Sequence, residues 1–169
     1  MIEIRPEIPA DRDAIHRLNV AAFECDDEAK VVDRLRATCE NFLSFVAEAD
    51  GEVVGYILFT PVAVDGSDVG GMGLAPMAVS PTLQREGIGS RLVHHGLDHF
   101  RQTGCPFVIV LGHPEYYPRF GFEPASRYGF SSQWDGIPDE AFMVLPLDES
   151  VLPAAGGVAR YLSEFDAAM

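Results

Sequence analysis

The stretch "VSPTLQREGIGSRLV", Val79–Val93, decides how this chain is read. A proline-marked turn runs into two glycines, and an apolar-periodic run follows, with Leu92, Val93, Leu97 and Phe100 at helical spacing. The opening N–H groups of such a helix lack intrahelical acceptors and sit at the positive end of its dipole. Glycines without side chains let an anion reach those donors, and Arg85 adds a flexible cation. Single positions exclude the two commonest phosphate loops. A P-loop needs a lysine after its last glycine, and none follows here. The dinucleotide fingerprint GxGxxG needs a third glycine where Leu92 stands. Taken alone, the segment also fits a plain glycine turn before a helix.

Immediately upstream, "DVGGMGLAPMAV" has the look of a strand, with Gly70, Gly71 and Gly73 weakening its start and Pro76 inside it. Proline cannot donate to a sheet ladder. Either this is an edge strand, or it is central and its pairing breaks near Pro76, freeing backbone groups for a ligand. Both remain open on this segment alone. Farther out, "IEIRP" alternates like a short strand, and "PADRDAIHRLNVAAF" predicts a helix with Asp11 as N-cap and Ile15, Leu18 and Ala22 on one face. "DDEAKVVDRLRA" predicts a second helix with Val31, Val32 and Leu35 on one face. "FLSFVAEADGEVVGYILFTPVAV" is a hairpin around Asp50-Gly51. The helix of the opening stretch runs to about Thr103, and "FVIVLG" is a short strand covered on both faces. A turn or distorted helix in "HPEYYPRFGFEPA", a long loop around Trp134 and a last strand in "AFMVLPL" complete the chain, with a weakly patterned tail. This order predicts an α/β or α+β fold with a partly parallel sheet. The length predicts one domain over residues 1–169.

A formal net charge of −14 argues against nucleic acid or an anionic membrane as partner, since both demand clustered Lys and Arg. It weakly favours a cationic substrate. Cys25, Cys39 and Cys105 are odd in number and form no CxxC pair, which suits free thiols in a reducing cytoplasm. The N-terminus lacks the pattern of a signal peptide, and no apolar run reaches the length of a membrane span. A cytoplasmic location is therefore expected. His95 and His99 have a metal-binding spacing, but Gly96 stands where an HExxH glutamate would be and no third ligand is evident, so no metal is expected.

Three features then combine. Gln84-Arg85-Glu86-Gly87-Ile88-Gly89 matches the pattern Q/R-x-x-G-x-G/A, "LAPMAVSP" has the form of a bulged strand, and Tyr117 stands four residues before Gly121 of Gly121-Phe122. In this order and spacing, the run from Leu74 to Ala125 resembles the GNAT superfamily of N-acetyltransferases, most of all its bacterial YhbS-like branch. The resemblance implies a mixed α/β (α+β) single domain: a central, mostly antiparallel sheet with splayed fourth and fifth strands, flanked by helices. It also implies acetyl-CoA as cosubstrate, with the backbone of Met77, Ala78 and Val79 pairing with the pantetheine arm. The Met77 N–H would polarise the thioester carbonyl. Gln84, Arg85, Glu86, Gly87, Ile88, Gly89 and Ser90 would cradle the pyrophosphate, and Tyr117 would protonate the departing thiolate.

No general base is assigned. The strand "GGMGLAPMAV" has no acid; Glu24, Asp26, Asp27 and Glu28 have the form of a solvated helix start, and His113 that of a turn histidine. The implied activity is acetyl transfer from acetyl-CoA to a primary amine of a small molecule or protein by direct attack. A non-catalytic acyl-CoA sensor or interaction module on the same fold is the alternative. A nucleotide-binding enzyme fits less well, because the lysine and third glycine are missing. Apolar strand edges permit a homodimer.

Overall fold

The computed structural model describes residues 1–169. In chain order it holds β1 (Ile2–Pro6), α1 (Arg12–Phe23), α2 (Asp27–Thr38), β2 (Leu43–Ala49), β3 (Glu52–Val64), β4 (Gly71–Val79), α3 (Ile88–Thr103), β5 (Phe107–Leu111), β6 (Glu123–Pro124), β7 (Phe130–Ser132), β8 (Phe142–Pro146) and β9 (Gly157–Arg160). Contacts divide the chain into two units, the first of residues 1–59, 76–98 and 163–169, the second of residues 60–75 and 99–162. The strands β3 and β4 and the helix α3 each run from one unit into the other.

In the first unit, β1, β2 and the first part of β3 form an antiparallel meander. Its hairpin turns at Asp50 and Gly51, with φ of 52° and 82°, the left-handed pair of a tight turn. The apolar faces of α1 and α2 contribute Ile15, Leu18, Val31, Val32 and Leu35 to the core, as their spacing predicts. Two glycines set how closely α3 approaches β3. A Cβ at Gly55 would stand 3.0 Å from Ile88 and Leu92 side-chain atoms, and one at Gly96 would stand 2.4 Å from the Phe59 ring. Leu92, Val93 and Leu97 are fully buried along that contact.

Asp11 corrects one expectation. It precedes α1, yet its side chain makes no capping bond to that helix. Its two oxygens instead accept from the Arg5 guanidinium at 2.8 and 3.0 Å, and one also accepts from the Ile8 N–H at 2.8 Å. A bidentate, charge-assisted pair outweighs a single cap bond. Nearby, Glu7 accepts from Arg36, Ser44 and Tyr56, tying the end of β1 to α2, β2 and β3.

In the second unit, β4 pairs parallel to β5, β5 pairs antiparallel to β8, and β8 antiparallel to β6. Phe107, Val108 and Ile109 have no exposed surface, as expected of a strand covered on both faces. In strand order β4 stands between β3 and β5, so it is not an edge strand. The ladder to β5 is short: Met72, Gly73 and Leu74 face Val108, Ile109 and Val110, and it stops before Pro76. Parallel pairing is confined to β4–β5 and β7–β9; the remaining described pairs are antiparallel.

The strand β8 is not the last. The tail supplies β9, which pairs antiparallel with the end of β3 and parallel with β7, a strand inside the expected loop around Trp134. Both are too short to show an alternation of their own, and they form by pairing with distant segments. Their approach is close: a Cβ on Gly156 would lie 2.2 Å from the Gly129 carbonyl oxygen, which accepts the Gly157 N–H at 3.0 Å.

Candidate active site

In the first unit the site begins where β4 outruns its ladder. Beyond Leu74 the strand continues to Val79, with Pro76 and Ala78 buried and Met77 and Val79 half-buried. Gln84 reaches back and donates from Nε2 to the Val79 carbonyl at 3.2 Å, fixing the turn to the strand end. Ser80 donates its N–H to Val54 at 2.8 Å, which holds the same end to β3.

The turn itself is unusual in its backbone. Arg85 has a φ of 66° and Gly87 one of 88°. Left-handed residues are one ingredient of the backbone concavities that bind anions. A Cβ at Gly87 would meet nothing within 4 Å, so glycine is required there by conformation and not by space. Arg85 has no such freedom, and its left-handed backbone costs about 1–2 kcal/mol. Strain of this kind persists at ligand clamps. Residues 84–87 are exposed, while Ile88 is buried and anchors the start of α3. The Arg91 N–H closes the first helical bond, to Gly87 at 3.1 Å, and the helix's opening donors precede it. The turn offers a strained, exposed set of backbone donors at a positive helix end. That suits an oxyanion such as a phosphate.

Tyr117 lies in the second unit, opening the 3-10 turn Tyr117–Phe120 after β5. Gly112 makes room for it: a Cβ there would stand 2.4 Å from the Tyr117 ring. Gly121, left-handed at 98°, ends the turn, and Phe122 packs edge-on against Tyr117 at 5.7 Å between ring centroids. The Tyr-x-x-x-Gly-Phe spacing thus folds the phenylalanine back onto the tyrosine. The two adjacent tyrosines have separate roles: Tyr117 is buried, whereas Tyr116 is half-buried under the Arg119 guanidinium, 4.4 Å from its ring centroid. Burial, and then the neighbouring Tyr116, push the Tyr117 hydroxyl well above the usual tyrosine range, and no hydrogen bond contributes to that shift.

Tyr161, in the weakly patterned tail just past β9, was not legible in the sequence. It is buried, and its hydroxyl lies 3.2 Å from the Leu74 carbonyl on β4 and 3.1 Å from the Ile109 carbonyl on β5. Only the contact with Gly73 could have hinted at it, and that contact is invisible in sequence.

The other candidates have structural surroundings. The exposed His113 accepts at its carbonyl from the Tyr116 and Tyr117 N–H groups. Asp26 pairs with Lys30 at 2.9 Å, and Glu28 accepts from the Cys25 thiol at 3.4 Å. His95 packs its ring on Phe45 and His99 on Phe100. No group of three or more His, Cys, Asp or Glu side chains is placed to hold a metal ion. No helix is long and apolar enough to cross a membrane.

A strand that outruns its parallel partner and leads into an exposed turn with two left-handed residues at a helix start is the arrangement that the GNAT resemblance implies. The family profile described as Acetyltransferase (GNAT) family matches residues 12–122. The chain is 39% identical over 164 residues to the N-acetyltransferase YhbS of Escherichia coli (strain K12), spanning 96% of this chain and 98% of that one. It is 39% identical over 136 residues to the N-acetyltransferase YjhQ of the same strain, spanning 78% of this chain and 75% of that one. A crystal structure of Escherichia coli YhbS in complex with CoA matches with a TM-score of 0.90 at 39% identity, over 98% of this chain and 92% of that one. A GNAT family acetyltransferase from Brucella melitensis, in complex with acetyl-CoA, matches with a TM-score of 0.82 at 35% identity, over 98% and 99% of the two chains. The chain belongs to the GNAT acetyltransferase family.

Proposed function

We propose that this protein moves the acetyl group of acetyl-CoA onto a primary amine of a small molecule or a protein, by direct attack and without an acyl-enzyme. The observation that carries this is the left-handed Arg85 in the turn before α3, a strained backbone that suits a bound pyrophosphate. The pyrophosphate rests on the backbone of Gln84, Arg85, Glu86, Gly87, Ile88, Gly89 and Ser90. Met77, Ala78 and Val79 offer backbone groups to the pantetheine arm, since β4 continues there beyond its ladder to β5. The Met77 N–H polarises the thioester carbonyl. The amine nitrogen bonds to the carbonyl carbon, the C–S bond breaks, and the thiolate takes a proton from Tyr117. No carboxylate lies on β4 and no general base is assigned; the proton lost by the amine passes to solvent, and solvent returns one to Tyr117. The protein works in the cytoplasm, where its three thiols stay reduced.

Two measurements test this. Heat-shift assays with acetyl-CoA, CoA, ATP and NAD should show stabilisation by both CoA species; a shift by ATP alone would refute the proposal. A thiol-release screen over amines and peptides should then find turnover. Binding of acetyl-CoA without release over a broad amine panel would instead support a non-catalytic acyl-CoA sensor, which the acid-free β4 also allows.

A further inference from the structure

The short ladder between β4 and β5 ends at Leu74 and Val110, inside the second unit. Buried carbonyls require hydrogen-bond partners, and in a continued parallel ladder those would be N–H groups of the facing strand. At the last rungs of the ladder a side chain adds a further link. The Tyr161 hydroxyl sits 3.2 Å from the Leu74 carbonyl and 3.1 Å from the Ile109 carbonyl, one on each strand. Its ring enters over Gly73, where a Cβ would stand 2.6 Å from it. Gln133 fixes the backbone by accepting the Tyr161 N–H at 2.6 Å, and the Trp134 ring packs at 5.6 Å between centroids.

We propose that Tyr161 is a positioning residue for the coenzyme: its single hydroxyl proton, shared between the carbonyls of Leu74 and Ile109, pins β4 to β5 at the last rungs of their ladder and so sets where β4 continues toward Met77. This rests on the acetyl-CoA site proposed above. A phenol has one proton, and that of Tyr161 is committed to these carbonyls. No such bond occupies the Tyr117 hydroxyl, so the two buried tyrosines divide the work between acid and spacer. Tyr161 acts through the strand that receives the coenzyme.

The test is calorimetric titration of the full-length protein with coenzyme A, well below its melting temperature. Tyr161→Phe keeps the ring and removes the hydroxyl; its affinity should fall about tenfold, the effect of losing one bond to a buried acceptor. In turnover assays KM for acetyl-CoA should rise by a similar factor, with kcat changed less. Val31→Ala, a core change on α2, serves as a control that lowers stability and leaves coenzyme affinity unchanged. Tyr161→Phe that folds, by circular dichroism, and binds within about twofold of wild type overturns the proposal. Should it not fold, Gln133→Ala decides: loosening the Tyr161 backbone should weaken binding about threefold, and unchanged affinity is refutation. A wild-type protein that does not bind coenzyme A fails at the earlier step, the coenzyme site itself.

Discussion

Tyr117 combines a raised hydroxyl pKa with a proton that no hydrogen bond in the protein engages. A group that must donate to a thiolate has to stay protonated, and burial enforces that. Tyr117→Phe should lower kcat by about 100-fold while coenzyme affinity stays within about threefold, because general-acid groups contribute on that scale to turnover alone. The sign of the pH dependence follows from the raised value. Wild-type kcat should show no loss from tyrosine ionisation between neutral pH and about pH 10, the ordinary tyrosine value. A decline beginning near pH 8 would assign the acid elsewhere. The position of Tyr117 was legible in the sequence through its spacing to Gly121-Phe122, but its separation from Tyr116 was not. That depends on Gly112 yielding space to one ring and Arg119 stacking on the other.

At the scale of elements, the same residue types fill roles that local pattern does not reveal. The Arg5 hydrogen bonds hold the Asp11 carboxyl below the usual aspartate range. A carboxylate with a depressed folded pKa stabilises above its unfolded value, about 3.9, and loses that contribution as pH falls through the folded value. Asp11→Asn should therefore cost about 1–3 kcal/mol at pH 7 in urea unfolding, with the gap to wild type closing as the pH is lowered below about 4. Gly96 is a sharper case. Helix propensity alone favours alanine there by about 1 kcal/mol, but its Cβ would lie 2.4 Å from the Phe59 ring. Gly96→Ala should be destabilising by about 1–3 kcal/mol, and combining it with Phe59→Leu should recover part of that in a double-mutant cycle. Amphipathic spacing predicted α3 and its buried face, and Asp50-Gly51 predicted the hairpin. The strands β7 and β9 stayed hidden because three- and four-residue strands carry no period and owe their existence to each other and to the end of β3.

At the scale of the molecule, the two units share three continuous elements, β3, β4 and α3. Elements that continue along the chain from one unit into the next suit a single unfolding transition. We propose that the chain is one cooperative domain. Urea unfolding followed by far-ultraviolet circular dichroism and by Trp134 fluorescence should give coincident single transitions. Two separated midpoints would make the units independent domains. The charge of −14 acts at this same scale, opposing polyanions at long range without specifying an acceptor.

The crossing of Gly129 and Gly156 limits how this protein can diversify. Two left-handed glycines meet there backbone to backbone, and a methyl group on Gly156 would fall inside the carbonyl of Gly129. Any codon library that randomises both loops should return glycine at position 156 under selection for folding alone. New specificity in this region must then come from loop length and from the flanking residues, because the crossing point itself has no side chain to vary.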